Sequence, residues 1–368
     1  MQYSAPGKLF ISGEWAILEV GNYGLVAAVN NRVHVSIESG DQISVTAEEF
    51  KIHNANAHYE NNRISFPDLD DKSKGIMKLI GEALSVSLRY LEENQTAPKP
   101  FHLTTNSKDT QFEVNGEMKK IGFGSSAAVV VATISAVLDF HGHNSSKDEL
   151  YKLSTIAHYY AQGKVGSAFD VAASTYGGLF VYSRFDPQWL TTRVESGESL
   201  NKIVNQEWPS LVIEELKVPE NFRLLVGWTG DSASTSAMIK QMNEFKEKNS
   251  DEYYRLYNKI ASIAKRAIES FKKEDYDEFF KHLKENELAL QELGELSGIN
   301  IETPQLAKLS EIASDYGAAG KLSGAGGGDC GIAICFDDIT ENNVVSAWEE
   351  EGLIPLGVTI DREGVKKD

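Results

Sequence analysis

Three glycine-rich segments combine an open backbone with lysine, serine and aspartate side chains. They cover residues 5–14 (APGKLFISGE), 122–128 (GFGSSAA) and 322–329 (LSGAGGGD), and are called here the first, second and third segments. Glycine lets backbone N–H groups approach a ligand closely. Successive N–H groups at a loop or a helix start bind anions, phosphate above all. Three such segments in one chain indicate a nucleoside triphosphate and phosphoryl transfer.

The second segment leads directly into an apolar helix predicted over residues 127–140. A helix N-terminus carries about half a positive charge and unpaired N–H groups. Ser125 or Ser126 therefore either binds a phosphate oxygen or Mg²⁺, or simply caps the helix. The segment is not a Walker A loop, because no Gly-Lys-Ser/Thr ending follows it.

The first and third segments suggest different uses of glycine. Lys8 follows Pro6-Gly7 and precedes a predicted strand at residues 9–11. It either reaches a γ-phosphate or the acceptor, or lies solvated on the surface. Residues 324–328 contain four glycines in five positions. Such density is typical of a backbone packed against a ligand or against another part of the chain.

Further polar side chains stand in similar surroundings. Asp170, between small and apolar residues, either orients an attacking group as a base or caps a helix. Lys119 and Lys120 precede the second segment and either hold a second phosphate or lie solvated on a hairpin. The hydroxyl cluster at residues 227–236 is a second possible anion site or a plain helix cap.

Composition narrows the classes of function. The 368 residues are 41% hydrophobic and 24% charged, which is typical of a folded protein with two domains. A net charge of −18 argues against nucleic-acid and anionic-membrane partners. Two cysteines are too few for a zinc cage, and no signal peptide or membrane span is recognisable, so we expect a cytoplasmic protein.

The elements that must position these side chains alternate between helix and strand. Apolar periodicity predicts helices at residues 72–91, 127–140, 147–162, 232–248, 253–273, 275–296, 303–316 and 343–351. Strand-like runs include residues 33–37, 100–105, 211–216, 222–228, 331–336 and 354–360. Trp208-Pro209 marks the predicted boundary between domains at residues 1–208 and 209–368. The charged segment 362–368 is expected to be frayed.

These segments, in this order, closely resemble the GHMP kinase superfamily over nearly the whole chain. Residues 162–174, 227–230 and 323–331 are most similar to the phosphomevalonate kinase family within it. The resemblance implies an α+β protein of two domains. The N-terminal domain would be β-rich, the C-terminal domain a ferredoxin-like α/β sandwich, and the active site would lie in the cleft between them.

The implied reaction is ATP-dependent phosphorylation of (R)-5-phosphomevalonate to 5-diphosphomevalonate, in the mevalonate pathway to isoprenoids. Lys8 would stabilise the transferring phosphoryl group and Asp170 would face the acceptor. The implied ATP-binding residues are Gly122, Gly124, Ser125, Ser126 and Ala127, with Ser126 also a Mg²⁺ ligand. The implied substrate-binding residues are Lys119, Lys120, Ser167, Thr235, Ser236, Gly324, Ala325, Gly326 and Gly327. We expect a monomer or a homodimer.

Two departures from the family pattern stand out. Ala168 replaces a glycine that related phosphomevalonate kinases usually carry, which restricts the backbone near Asp170. Residues 157–161 lack the glutamate that mevalonate kinases use for the metal, so ATP and a serine hydroxyl would hold most of the Mg²⁺. The alternatives are mevalonate kinase, diphosphomevalonate decarboxylase and a non-catalytic sensor; the presence of Lys8, Ser126 and Asp170 disfavours the last.

Overall fold

The computed structural model describes residues 1–114, 116–230 and 234–368, without the side chains of Val114, Glu117 and Lys120. Local signals set many helix ends. Ser146 and Glu149 form a capping box at the start of the third helix, and Gly298 ends the ninth in a left-handed conformation. The helices of the described chain are α1 Asp71–Glu93, α2 Ser125–Phe140, α3 Lys147–Ala161, α4 Phe169–Tyr176, α5 Pro187–Glu195, α6 Leu200–Val204, α7 Thr235–Lys248, α8 Ser250–Lys272, α9 Tyr276–Ser297, α10 Pro304–Asp315 and α11 Asp338–Glu350.

The strands fall into two main sheets and two small hairpins. They are β1 Gln2–Ser12, β2 Gly24–Ser39, β3 Ser44–Ala47, β4 Ile52–Asn56, β5 His58–Glu60, β6 Arg63–Ser65, β7 Phe101–Asn106, β8 Gln111–Val114, β9 Glu117–Lys120, β10 Leu179–Ser183, β11 Val212–Leu216, β12 Arg223–Trp228, β13 Ala319–Leu322, β14 Cys330–Cys335, β15 Ile354–Leu356 and β16 Lys366–Lys367. The hairpins are β5–β6 and β8–β9.

The larger sheet is organised around the long strand β2. Its path runs β11-β10-β2-β7-β3-β4, and β1 pairs antiparallel with β2 and with β16. Helices α1 to α4 pack against it around a large apolar core. Every residue of α2 from Ala127 to Leu138 is buried, which explains its largely apolar sequence.

The smaller sheet is antiparallel, with order β13-β14-β12-β15. Numbered within this unit the order is 2-3-1-4, and helices connect β12 to β13 and β14 to β15. This arrangement confirms the predicted ferredoxin-like sandwich. Helices α10 and α11 cover one face of the sheet around Trp348. The other face shares an apolar cluster with helices α8 and α9 and with β1, β2 and β10, so one cluster joins the two sheets.

Several sequence predictions differ from the structure. The segment expected to be frayed is ordered: Lys366 and Lys367 pair with β1, and Ser4 donates a hydrogen bond to Asp368 at 2.7 Å. The predicted short strand at residues 9–11 belongs to the longer β1, so Lys8 lies within a strand. Strand β11 lies beyond the predicted boundary at residue 208 yet pairs with β10 of the larger sheet. The domain division at that residue stays a prediction.

The helices and the two thiols bear on membrane insertion and on disulfide bonding. Among the helices in the described ranges, none is both long and apolar enough to cross a bilayer. Cys330 and Cys335 are buried, free thiols on β14.

Candidate active site

A cavity of about 670 Å³ opens where the two sheets meet. Most of the residues that the sequence singled out line it. The predicted residues that line it are Lys8, Gly122, Gly124, Ser125, Ser126, Ser167, Asp170, Thr235, Ser236, Gly324, Ala325 and Gly326. These residues come from both ends and the middle of the chain, so the fold creates the site by bringing distant segments together.

The three glycine-rich segments contact one another directly. Lys8 N donates a hydrogen bond to Phe123 O at 2.8 Å, which joins the first segment to the second. Ser323 Oγ donates to Phe10 O at 2.8 Å, which joins the third to the first. Gly122 N lies 3.4 Å from the Asp329 Oδ1 atom, which joins the second to the third. The segments therefore form a closed triangle at one end of the cavity.

The Lys8 side chain crosses the second segment. Its Nζ donates to Gly122 O at 2.8 Å. Gly124 is the N-cap of α2 and has φ of 80°, in the left-handed region. A Cβ at this position would lie 2.9 Å from Lys8 Cγ. Glycine is required at residue 124 both by its conformation and by the passage of the lysine.

Ser125 and Ser126 form the first turn of α2. The first N–H groups of a helix have no intrahelical acceptor, and they carry its positive pole. Ser126 Oγ lies 3.3 Å from the Nε2 atom of His158 on α3. Gln162 Nε2 lies 2.9 Å from the same ring nitrogen. The N-terminus of α2 therefore lies next to a polar cluster in the cavity wall.

Asp170 lies in the first turn of α4 and not at its N-cap, which is Ala168. Its Oδ1 accepts a hydrogen bond from Val171 N at 3.0 Å, and its Oδ2 lies 3.8 Å from His158 Nε2. The carboxylate side chain is 19% exposed, toward the cavity. Ala168 has φ of 61°, a left-handed conformation that an alanine adopts only with strain.

Ser167 precedes this turn and is buried. Its carbonyl oxygen accepts a hydrogen bond from Tyr182, whose hydroxyl lies 2.9 Å from that of Tyr151. Within the described ranges the Ser167 Oγ atom has no hydrogen-bond partner, although it lines the cavity. An unpaired buried hydroxyl on a cavity wall is suited to a polar ligand.

The third segment contributes less backbone to the cavity than its composition suggests. Gly324, Ala325 and Gly326 line it, but Gly327 does not. Gly327 N donates to Ile301 O at 2.7 Å, and a Cβ on Gly326 would lie 2.0 Å from the same oxygen. The main chain of Gly326 and Gly327 therefore packs against the loop before α10, and it leaves no room for a side chain at residue 326.

Helix α7 contributes another part of the cavity wall. Thr235 and Ser236 lie in its first turn, and Ile239, Lys240 and Asn243 continue the lining. Ser234 caps the helix by accepting a hydrogen bond from Ala237 N. Asp231, Ser232 and Ala233, which belong to the predicted hydroxyl cluster, lie outside the described residues.

Besides Gly327, three predicted residues are not among those that line the cavity. Ala127 is fully buried inside α2, so only its main chain is close to the site. Lys119 lies on β9 and is not among the residues that line the cavity. The side chain of Lys120 lies outside the part of the chain that the structure describes. The roles given to these residues stay predictions.

The predicted site residues did not include Glu14, His158 and Asp329, which line the cavity and have partners in other elements. Glu14 is buried and forms an ion pair with Lys321 of β13, although 307 positions separate them. His158 contacts Ser126, Asp170 and Gln162. For Glu14, the available signal was its position at the end of the first segment. His158 lies in residues 157–161, which were noted in the sequence only because they lack a glutamate.

The charges of the cavity are mixed. Lys8 and Lys240 supply positive charge, and Glu14, Asp170 and Asp329 supply negative charge. Burial raises the pKa of Asp329, while the nearby Lys8 lowers it. Lys8 and the α2 N-terminus are sources of positive charge in this lining, in a protein whose net charge is −18.

Comparison with known families agrees with this geometry. Residues 80–178 match the model "GHMP kinases N terminal domain", and residues 267–353 match "GHMP kinases C terminal". The first match contains α2 and Asp170. The second contains the third segment.

Individual relatives match over nearly their full length. A phosphomevalonate kinase of Streptomyces sp. (strain CL190) is 29% identical, over 98% of this chain and 97% of the relative. The solved Lin0012 protein of Listeria innocua is 30% identical with a TM-score of 0.90, covering 100% and 99% of the two chains. The Streptococcus pneumoniae phosphomevalonate kinase, solved with phosphomevalonate and AMPPNP, is 26% identical with a TM-score of 0.82 over 98% and 99%.

Proposed function

The chain belongs to the GHMP kinase family, and from that premise we propose that it is a phosphomevalonate kinase. It transfers the γ-phosphoryl group of ATP to the phosphate of (R)-5-phosphomevalonate, giving ADP and 5-diphosphomevalonate in the mevalonate pathway. The observation that carries the proposal is a single cavity that gathers Lys8, the α2 N-terminus and Asp170. Support for this acceptor comes from the full-length similarity to an enzyme solved with phosphomevalonate and AMPPNP.

In the proposed reaction an oxygen of the acceptor phosphate attacks the γ-phosphorus of ATP. A new phosphorus–oxygen bond forms, the bond to the β-phosphate oxygen breaks, and ADP leaves. The acceptor phosphate is already largely ionised near neutral pH, so a strong base is not required. Catalysis rests on positioning and on charge stabilisation.

Each side chain has a role suited to this chemistry. Lys8 stabilises the charge on the transferring phosphoryl group, from a wall formed by β1. The N–H groups of the first turn of α2, together with Ser125, hold ATP phosphates. Asp170 orients the acceptor, and Ser167, Thr235 and Ser236 offer hydroxyls to it.

Magnesium fits this donor set as a partner of ATP. Among the residues that the structure describes, no three His, Cys, Asp or Glu side chains converge into a metal cage. Ser126 Oγ lines the cavity at the α2 N-terminus and would supply a protein ligand. Mg²⁺ commonly keeps several waters and binds through substrate phosphates. When bound, it would neutralise phosphate charge.

The test is a coupled ADP-release assay with MgATP and, in parallel, mevalonate, 5-phosphomevalonate and 5-diphosphomevalonate. We expect turnover with 5-phosphomevalonate only. Turnover with mevalonate alone would make the protein a mevalonate kinase. Turnover with 5-diphosphomevalonate, accompanied by CO₂ release, would make it a decarboxylase. ATP binding without turnover on any of the three would support a non-catalytic sensor.

A further inference from the structure

Asp329, at the end of the third segment, lines the cavity and contacts the second segment, but it has no role in the proposed reaction. Its main chain is anchored at the end of β12: the Asp329 carbonyl oxygen accepts hydrogen bonds from Thr229 N at 3.0 Å and Thr229 Oγ1 at 3.2 Å. Asp329 itself has φ of 62°, so the chain turns sharply here before β14. This anchoring directs the carboxylate toward the second segment.

The carboxylate contacts Gly122 closely. The Oδ1 atom lies 3.4 Å from Gly122 N. The Oδ2 atom would lie 2.0 Å from a Cβ at residue 122, so any side chain there would displace it. Glycine at residue 122 is thus explained by an approaching carboxylate of the protein itself.

Gly122 is held from its other side by Lys8. The Gly122 carbonyl oxygen accepts a hydrogen bond from Lys8 Nζ at 2.8 Å. The Gly122 main chain therefore lies between a carboxylate on its N–H and an ammonium on its C=O. The two opposite charges interact, because Lys8 lowers the pKa of Asp329 against the effect of burial.

We propose that Asp329 is a positioning residue: it holds the Gly122 main chain in the orientation in which the Gly122 carbonyl holds the Lys8 ammonium. Asp329 acts on phosphoryl transfer through Gly122 and Lys8 and does not itself contact ATP. The first-turn N–H groups of α2 then remain for the nucleotide. This inference rests on the proposed function and adds to it a residue that links the C-terminal sheet to catalysis.

The opposite interpretation is a carboxylate that occupies a phosphate position and must leave when ATP binds. The two interpretations predict opposite changes in nucleotide affinity. Removing a competing carboxylate would tighten nucleotide binding, whereas removing a positioning carboxylate would slow turnover without tightening it.

The experiment compares four variants with the wild-type protein: Asp329→Ala, Asp329→Asn, Lys8→Met and the double variant Lys8→Met/Asp329→Ala. We expect Asp329→Ala to lower kcat about 100-fold, the usual consequence of a small misplacement in an active site. Asp329→Asn keeps an oxygen for Gly122 N–H and should stay within about fivefold of wild type. The double variant should be no slower than Lys8→Met within about threefold, because both changes act on the same group. AMPPNP affinity, measured calorimetrically without acceptor, should change less than about threefold.

Three results would overturn the proposal. They are wild-type turnover in Asp329→Ala, tighter AMPPNP binding in either Asp329 variant, and a loss of kcat in the double variant that equals the product of the two single losses. Asp337→Asn is the matched control, because Asp337 caps α11 through Thr340 N in the same domain and is not among the residues that line the cavity. Thermal unfolding of all variants against this control identifies a folding defect. If the wild type instead used another acceptor, the proposed function would fail, and the same comparison would be made with that acceptor.

Discussion

The second and third glycine-rich segments have similar compositions, but their glycines make room for different neighbours. In the second segment, Gly122 accommodates the Asp329 carboxylate and Gly124 accommodates the Lys8 side chain, both of which line the cavity. In the third segment, Gly326 accommodates the main chain of Ile301. A dense run of glycine therefore marks close approach, and the structure is needed to tell which partner approaches.

The largest expected effect is on kcat and concerns Lys8, whose side chain passes over the second segment. Lys8→Met should lower kcat about 1000-fold, because it removes the charge that stabilises the transferring phosphoryl group. The free energy of unfolding should change little, since Lys8 Nζ makes a single hydrogen bond to Gly122 O among the described residues. Steady-state kinetics and urea unfolding measure the two quantities separately. A variant that unfolds easily but turns over normally would contradict the assignment.

The next largest effect is on stability and concerns Gly326 of the third segment. Gly326→Ala should lower the free energy of unfolding by about 3 kcal/mol, because its Cβ would collide with Ile301 O. Gly324→Ala is the matched control: it also has positive φ, but a Cβ there would meet no atom of the described residues within 4 Å. This control should cost about 1 kcal/mol from backbone strain alone. Equal losses in the two variants would show that packing on Ile301 contributes nothing.

The free energy of unfolding should depend on pH through Glu287, a buried carboxyl group that contacts the third segment. Glu287 on α9 accepts a hydrogen bond from Leu322 N, at the start of that segment. Burial, together with a hydrogen bond to Glu302, raises the pKa of Glu287 from 4.5 to about 8. The folded state therefore binds this proton more tightly than the unfolded state, and its stabilising contribution is complete below pH 4.5 and lost as the pH rises to about 8.

Urea unfolding between pH 4.5 and about 8 measures this contribution. The slope should be at most about 1.4 kcal/mol per pH unit for one proton. Glu287→Gln keeps an oxygen acceptor for Leu322 N and does not titrate, so it should flatten the curve. A variant with the wild-type slope would assign the pH dependence to other groups.

The smallest expected effect lies beside Asp170. Ala168→Gly relieves a left-handed backbone at φ of 61° and should raise the free energy of unfolding by about 0.5 to 1 kcal/mol. Its kcat would report whether that strain affects the position of Asp170. Destabilisation by the glycine would mean that the buried Ala168 methyl group contributes more through packing than it costs in strain.

Long periodic helices were predictable, whereas short elements were not. The helix predicted at residues 147–162 corresponds to α3, since its apolar spacing and its capping box are local signals. Helix α11 begins at Asp338, five residues before the predicted start, because Asp337 caps it and the polar first turn hides the period. The short helices α5 and α6 carry too few turns to show a period.

Site residues could be predicted only where their sequence neighbours, a glycine or a helix start, indicate a ligand-binding position. Lys8, Ser126 and Asp170 stand beside glycine or at a helix start, and they do line one cavity. Glu14 and Asp329 acquire their importance from partners that lie far away in the chain, Lys321 and Gly122. Both residues stand at the end of a glycine-rich segment, but which partner each one contacts depends on how distant segments of the chain pack together.

The pairing of β1 with β16 has a consequence for protein synthesis. Ser4 and its partner Asp368 are separated by 364 positions. At typical translation rates, β1 leaves the ribosome roughly 20 to 70 seconds before the strand that covers it. The edge of β1 at Tyr3 and Ser4 therefore stays unpaired during this interval. Nascent chains that stall then are exposed there to the edge-to-edge association that folding chaperones prevent.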